Sequence, residues 1–186
     1  MITSMCNIYE HTIVITNRHL VQGDFLKQLE KVTKLHPHAL ILREKDLTDD
    51  AYESLAKKVF DLCKREDITF FLHTKIEIAR KIGCQNIHLS IPVLKGLSET
   101  EKKALTEDFC EISISCHSME DVEIAMAGGA TQIILGTIFE TECKKGVLGK
   151  GVEFVREICQ KCPLPVYAIG GMNLQRLPLV IDAGAA

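Results

Sequence analysis

The chain of 186 residues contains no apolar run near the ~18–20 residues that a membrane-spanning helix requires. Met1 to Glu10 is mixed and polar and lacks the apolar segment of a signal peptide. No GxGxxG or GxxxxGK[ST] loop follows any strand-like stretch, which weighs against a nucleotide-binding open sheet. There is no Pro/Gly-rich linker, no low-complexity tract and no hairpin signal, so one domain over 1–186 is expected. Acidic residues slightly outnumber basic ones, for a net charge of −3, and no helix-turn-helix signal is present. Both weigh against nucleic-acid or anionic-membrane partners.

Eight cysteines lie scattered at 6, 63, 84, 110, 116, 143, 159 and 162. With no export signal they read as reduced thiols, and the expected location is the cytoplasm. Cys159-Gln160-Lys161-Cys162 has CxxC spacing, which suits a redox or zinc site. There is no second CxxC, however, and the pair falls at the end of a helical stretch, where a thiolate gains nothing from the helix dipole. A structural role is the stronger reading.

The pattern that is present is a repeat of strand and helix. Strand-like runs are Thr12–Thr16, Ala39–Leu42, Ile68–Leu72, Asn86–Leu89, Ile112–Ser118, Thr131–Leu135 and Pro165–Ile169. Between them come helical patterns from Phe25 to Leu35, from Thr48 to about Glu66, a short one ending at Gly83, one opened by the capping box at Ser98, then Met119–Met126, Val152 to about Cys159, and Leu174–Ala183. Seven such units imply a parallel sheet covered on both faces. The expected class is α/β, a TIM (β/α)8-type barrel, with an open doubly wound sheet as the second choice.

One stretch departs from the apolar rule. In Ile112-Ser113-Ile114-Ser115-Cys116-His117-Ser118, period-two alternation puts Ser113, Ser115 and His117 on one side. Two hydroxyls and an imidazole suit a strand running into an accessible site; the alternative is a His that merely hydrogen-bonds at a strand end. In a parallel α/β fold the residues just after each strand share one edge. Here they are Arg43 and Lys45, His73 and Lys75, His117, Thr141, Lys144 and Lys145, and Gly170-Gly171. That edge is basic and fits a small anion such as a phosphate or carboxylate. The glycine pair offers unobstructed backbone N–H groups leading into a helix start, or else makes an ordinary tight turn. No Asp or Glu closes the third or fourth strand, so a magnesium site is not expected, and His73 with His88 lack a third zinc ligand. His11, His19, His36 and His38 read as surface residues.

Ile41-Leu42-Arg43-Glu44-Lys45, Ser115-Cys116-His117-Ser118, the run Gly136 to Gly146 and Ala168-Ile169-Gly170-Gly171-Met172 together resemble the thiamine phosphate synthase/TenI superfamily, in order and over nearly the whole chain. The Phe139-to-Gly146 run and the Ile-Gly-Gly-Met turn are most similar to the TenI branch. The resemblance implies a TIM barrel in thiamine biosynthesis. The family continues past Gly184-Ala185 with an eighth strand and helix that are missing from these 186 residues, so a truncated chain or a homo-oligomer covering the gap is expected. Synthases of this family hold magnesium on an Asn-Asp pair after strand three and an Asp after strand four. Here those positions read His73-Thr74 and Pro92-Val93, and the Gln that opens the family's Gln-Leu-Arg-Glu-Lys motif is Ile41.

The resemblance therefore implies a thiazole tautomerase, an isomerase that aromatises a thiazole carboxylate phosphate without a cofactor. His117 would be the acid/base and Ser115 would orient the substrate. Gly170 and Gly171 would hold the phosphate, and Arg43, Lys45, Thr141 and Lys144 would face the anionic groups. The alternatives are a thiamine phosphate synthase, which couples a pyrimidine pyrophosphate to thiazole phosphate and would need magnesium, and a non-catalytic thiazole-phosphate-binding relative.

Overall fold

The structure, a computed structural model, describes residues 8–141, 146 and 148–186. Among these are seven strands; the first four pair in parallel in chain order, and so do the last three, as a repeated strand–helix pattern favours. Packing divides the chain into two compact units, Met1–His88 and Leu89–Ala186.

The first unit contains β1 (Ile13–Ile15), α1 (Phe25–Thr33), β2 (Ala39–Leu42), α2 (Asp49–Arg65), β3 (Thr69–His73), α3 (Ile76–Ile82) and the first residues of β4 (Asn86–Ser90). Register runs Ile13 to Ala39 to Thr69, and His73 pairs with His88. All four residues of β2 are fully buried, the mark of a strand covered on both faces. The longest helix, α2, is specified at both ends. Thr48 Oγ1 accepts from the Ala51 N–H, Asp49 and Asp50 occupy the first turn, and Lys64 and Arg65 the last. Its buried face is Tyr52, Ala56, Val59, Leu62 and Cys63, a spacing of three and four residues. Burying Val59 and Leu62 contributes roughly 1.5–3 kcal/mol each, and a charge at Val59 would break that face.

The second unit contains α4 (Ile91–Gly96), α5 (Glu99–Asp108), β5 (Glu111–Cys116), α6 (Met119–Ala127), β6 (Gln132–Gly136), α7 (Gly151–Lys161), β7 (Val166–Ile169) and α8 (Leu177–Asp182). Ser113 pairs with Gln132, and Ile133 with Val166. The Ser98–Glu101 capping box forms as its spacing foretells. The sequence pattern passes over α4 because six residues carry only two buried side chains, Ile91 and Leu94; Pro92 in its first turn fixes the entry.

The last helix is a correction. It starts at Leu177, not Leu174, because the Asn173 side chain accepts from the N–H groups of Gln175 and Arg176 and holds those residues in a turn. Beyond α8, the Ala186 N–H donates to the Val166 carbonyl at 2.9 Å, so the final residue lies against β7. No helix among the described residues is long and apolar enough to cross a membrane.

Candidate functional site

In the second unit β5 emerges from the core one residue at a time. Ser113 is wholly buried, Ser115 half-buried and His117, just past the strand, exposed. Three contacts hold His117. Its N–H donates to Asp121 Oδ2 at 2.8 Å, while the Asp121 N–H donates to Ser118 Oγ at 3.1 Å. The first turn of α6 thus clamps the backbone at residue 117. The ring Nδ1 lies 2.5 Å from the carbonyl oxygen of Gly136 at the end of β6. A carbonyl only accepts, so Nδ1 carries the proton and Nε2 keeps the lone pair in the neutral ring. Lys150 Nζ donates to the His117 carbonyl and also lies 4.6 Å from the centre of the Phe154 ring.

The segment after β6 is pinned on both sides. Lys150 and Gly151 N–H groups donate to the Thr137 and Ile138 carbonyls, and the Phe139 N–H donates to Gly170. Gly170 and Gly171 have φ of +103° and +61°. A Cβ at Gly170 would sit 2.5 Å from Thr137 Cγ2, and one at Gly171 2.4 Å from the Glu140 oxygen. Only glycine permits this approach. The Gly171 carbonyl accepts from the Arg176 guanidinium, which stacks 4.6 Å from the Phe139 ring centre. Thr141 is half-buried where this segment ends; Lys144 and Lys145 lie outside the described residues. One expectation is corrected: the glycine pair does not lead into a helix start. Residues 172–176 intervene before α8, and a guanidinium stands beside Gly171 instead.

In the first unit, Arg43 and Lys45 flank Glu44, which is 3% exposed. Glu44 accepts from the Thr16 hydroxyl at 2.6 Å and from the Arg18 N–H and guanidinium at 3.0 and 3.1 Å. The Arg43 N–H donates to Thr16 Oγ1 at 2.9 Å. Glu44 is therefore consumed in fixing the turn after β2. Arg43 is left half-buried and Lys45 exposed, with no carboxylate paired to either among the described ion pairs. Arg18 also pairs with Asp46, the largest cause holding that carboxyl far below its usual range.

His73 and His88 stack with ring centres 5.4 Å apart at 28°. They are 7% and 2% exposed, and His73 Nδ1 has no hydrogen-bond partner among the described residues. Burial, reinforced by the charges of Arg43 and Lys45, pushes His73 down to about 4. Burial, then His73 and Arg43, pushes His88 down to about 3. Both rings are neutral near pH 7.

The positions where the synthases of the family hold magnesium do not fit that ion. After β3 stand His73 and Thr74, and after β4 Ile91, Pro92 and Val93, with no carboxylate at either place. Magnesium wants oxygen ligands, and buried neutral imidazoles facing two cations are a poor substitute. Among the described residues no group of three or more His, Cys, Asp or Glu is placed to hold a metal ion. Cys159 and Cys162 are free thiols at the end of α7, and burial raises Cys159. The four histidines at 11, 19, 36 and 38 are exposed, and His19 lies 3.1 Å from Asp46.

Sequence reasoning does not single out Lys150, Arg176, Asp121 or Glu44. The Ser118–Asp121 spacing announces a helix start, but not that Asp121 also reaches the backbone of His117. Lys150 stands alone between Gly149 and Gly151, and Arg176 in a turn, with no periodicity to mark either.

Residues 12–186 match the family described as thiamine monophosphate synthase. The chain is 31% identical over 173 residues to the thiamine-phosphate synthase of Coprothermobacter proteolyticus, covering 92% of this chain and 81% of that protein. It is 30% identical over 171 residues to the putative thiamine-phosphate synthase 2 of Aquifex aeolicus, covering 92% and 90%. Among solved structures, the thiamine phosphate pyrophosphorylase of Pyrococcus furiosus superposes with a TM-score of 0.80 at 22% identity, over 96% of this chain and 84% of that one. That likeness fixes the fold as TIM-type, here with seven strands among the described residues.

Proposed function

The chain belongs to the thiamine monophosphate synthase family, and from that premise we propose that it is an enzyme of thiamine biosynthesis acting on a thiazole phosphate. The reaction its geometry supports best is proton transfer by His117, the aromatisation of a thiazole carboxylate phosphate. Aromatisation takes a proton from one carbon of the ring system and delivers one to another, with no change in oxidation state and no leaving group. An imidazole that can hold or release a proton near neutral pH performs both halves. The observation that carries this reading is the bond from His117 Nδ1 to the Gly136 carbonyl, which leaves Nε2 as the free base on an exposed ring. Asp121 and Lys150 hold the residue from either side of its backbone. Gly170 and Gly171 supply backbone N–H groups for the phosphate, and Ser115 and Thr141 the further polar contacts; the family pattern adds Lys144, which lies outside the described residues. Arg43 and Lys45, in the other unit, are the residues the family pattern assigns to anionic groups.

A second reading is a thiamine phosphate synthase, joining a pyrimidine pyrophosphate to thiazole phosphate with loss of pyrophosphate. The names of the matched relatives belong to this reaction and back it more strongly than the first. Against it stands the absence of any carboxylate at His73-Thr74 and Pro92-Val93. One experiment separates the two. The purified chain is incubated either with the non-aromatic thiazole carboxylate phosphate or with the two synthase substrates and magnesium, following ultraviolet absorbance in the first case and pyrophosphate in the second. Aromatisation that is lost in His117→Ala supports the first reading. Magnesium-dependent pyrophosphate release that survives His117→Ala replaces it with the second.

A further inference from the structure

We infer that Arg176 is the residue that recognises the substrate's phosphate, closing over the Gly170–Gly171 turn as a phosphate-monoester subsite. This rests on the reading that the substrate is a thiazole phosphate. Three observations converge. First, the helix start that would supply positive charge to a phosphate on this turn is displaced; α8 begins at Leu177 and is only six residues long. The charge must come from a side chain. Second, Arg176 is already placed there. Its guanidinium donates to the Gly171 carbonyl and its central carbon lies over the Phe139 ring, 4.6 Å from the ring centre, so the group is held beside the turn before any ligand arrives. Of its five N–H donors, Nη1 makes that one bond, and no carboxylate pairs with it among the described ion pairs. Elsewhere in the unit Lys102, Arg156 and Lys161 are each paired with a glutamate on their own helix. Third, the turn leaves no room for a side chain at Gly171, which keeps its backbone close to Arg176. A Cβ at Gly171 would come within 3.0 Å of the Arg176 guanidinium, 2.9 Å of Phe139 Cβ and 2.4 Å of the Glu140 oxygen.

A preorganised fork beside side-chain-free backbone suits the oxygens of a phosphate monoester better than it suits a carboxylate alone, because the ligand can bridge the guanidinium and the glycine N–H groups together. The phosphate binds here at the non-reacting end of the substrate, so Arg176 governs affinity and not proton transfer.

The test uses Arg176→Gln and Arg176→Lys in the full chain, with two readouts. In the first, inorganic phosphate and thiazole phosphate are titrated against thermal stability. Wild type is expected to be stabilised by both, Arg176→Lys less, and Arg176→Gln hardly at all, while its own melting point without ligand stays close to wild type. In the second, KM and kcat are compared for the phosphorylated substrate and its dephosphorylated alcohol. Arg176→Gln is expected to raise KM for the phosphorylated substrate by about tenfold or more with kcat little changed, and to leave the alcohol unaffected. Equal stabilisation of wild type and Arg176→Gln by phosphate, or equal KM values for the phosphorylated substrate, would overturn the inference. If wild type turned over neither candidate substrate yet lost phosphate stabilisation on Arg176→Gln, the proposed reaction would fall and the subsite would stand.

Discussion

The Nδ1 atom of His117 lies 2.5 Å from the carbonyl oxygen of Gly136, which ties an exposed imidazole on one strand end to the backbone of the next. The bond selects the tautomer and fixes the ring's direction without burying it. A free surface histidine would sample several rotamers and both tautomers; here the basic nitrogen is held in one place, as general acid–base chemistry needs.

That arrangement depends on Asp121. Its carboxylate accepts from the His117 N–H, and its own N–H is held by Ser118. Asp121→Asn is expected to keep an acceptor and most of the activity. Asp121→Ala is expected to destabilise the start of α6 by about 1 kcal/mol and lower kcat by roughly tenfold, as residue 117 loosens. Urea midpoints and kcat measured on both variants check this. Unchanged kcat in Asp121→Ala would mean the clamp has no bearing on the imidazole.

The buried pair His73 and His88 makes stability depend on acid. Burial holds His73 at about 4 and His88 at about 3, both below the ordinary 6.5. The unfolded chain therefore binds more protons than the folded one between these limits. The stabilisation is fully present above pH 6.5 and is lost as pH falls toward 4, then further toward 3. For His73 alone the loss amounts to about 3 kcal/mol. Urea unfolding at pH 7, 6 and 5 is expected to show a falling midpoint, and His73→Gln a shallower fall over the same range. A midpoint constant from pH 7 to 5 would contradict it.

Gly171 sets a steric limit. With φ at +61° and the Glu140 oxygen 2.4 Å from a would-be Cβ, Gly171→Ala must shift the segment that follows β6. A loss of about 1–3 kcal/mol and a clear rise in KM for the phosphorylated substrate are expected, read by thermal unfolding and steady-state kinetics. Wild-type values in both would mean the turn is more open than this geometry.

Most of this was legible in the residues. Thr48 before two aspartates, Ser98 with Glu101, and Gly83 after a short apolar stripe mark helix ends because capping is local chemistry. The buried strands are legible because a parallel sheet covered on both faces needs near-continuous apolar runs such as Ala39–Leu42. His117 stands out because an imidazole following two serines breaks that rule. What escaped was set by contacts distant in sequence. Glu44 looks like one of three charges after β2, and only Thr16 and Arg18, more than twenty residues away, make it a buried brace. Arg176 reads as an exposed turn residue until Asn173 shortens the helix and Phe139 offers a surface to stack on. The role of Lys150 likewise depends on a carbonyl 33 residues earlier.

The most direct measurement is the rate at which His117→Ala and His117→Gln aromatise the thiazole carboxylate phosphate, with and without a metal chelator, each variant first shown to be folded. The account expects wild-type turnover indifferent to the chelator and a fall in kcat of about 10²–10⁴ in both variants, the size of a lost general acid–base. Turnover within a few-fold of wild type in either variant, or wild-type activity abolished by the chelator, would contradict it.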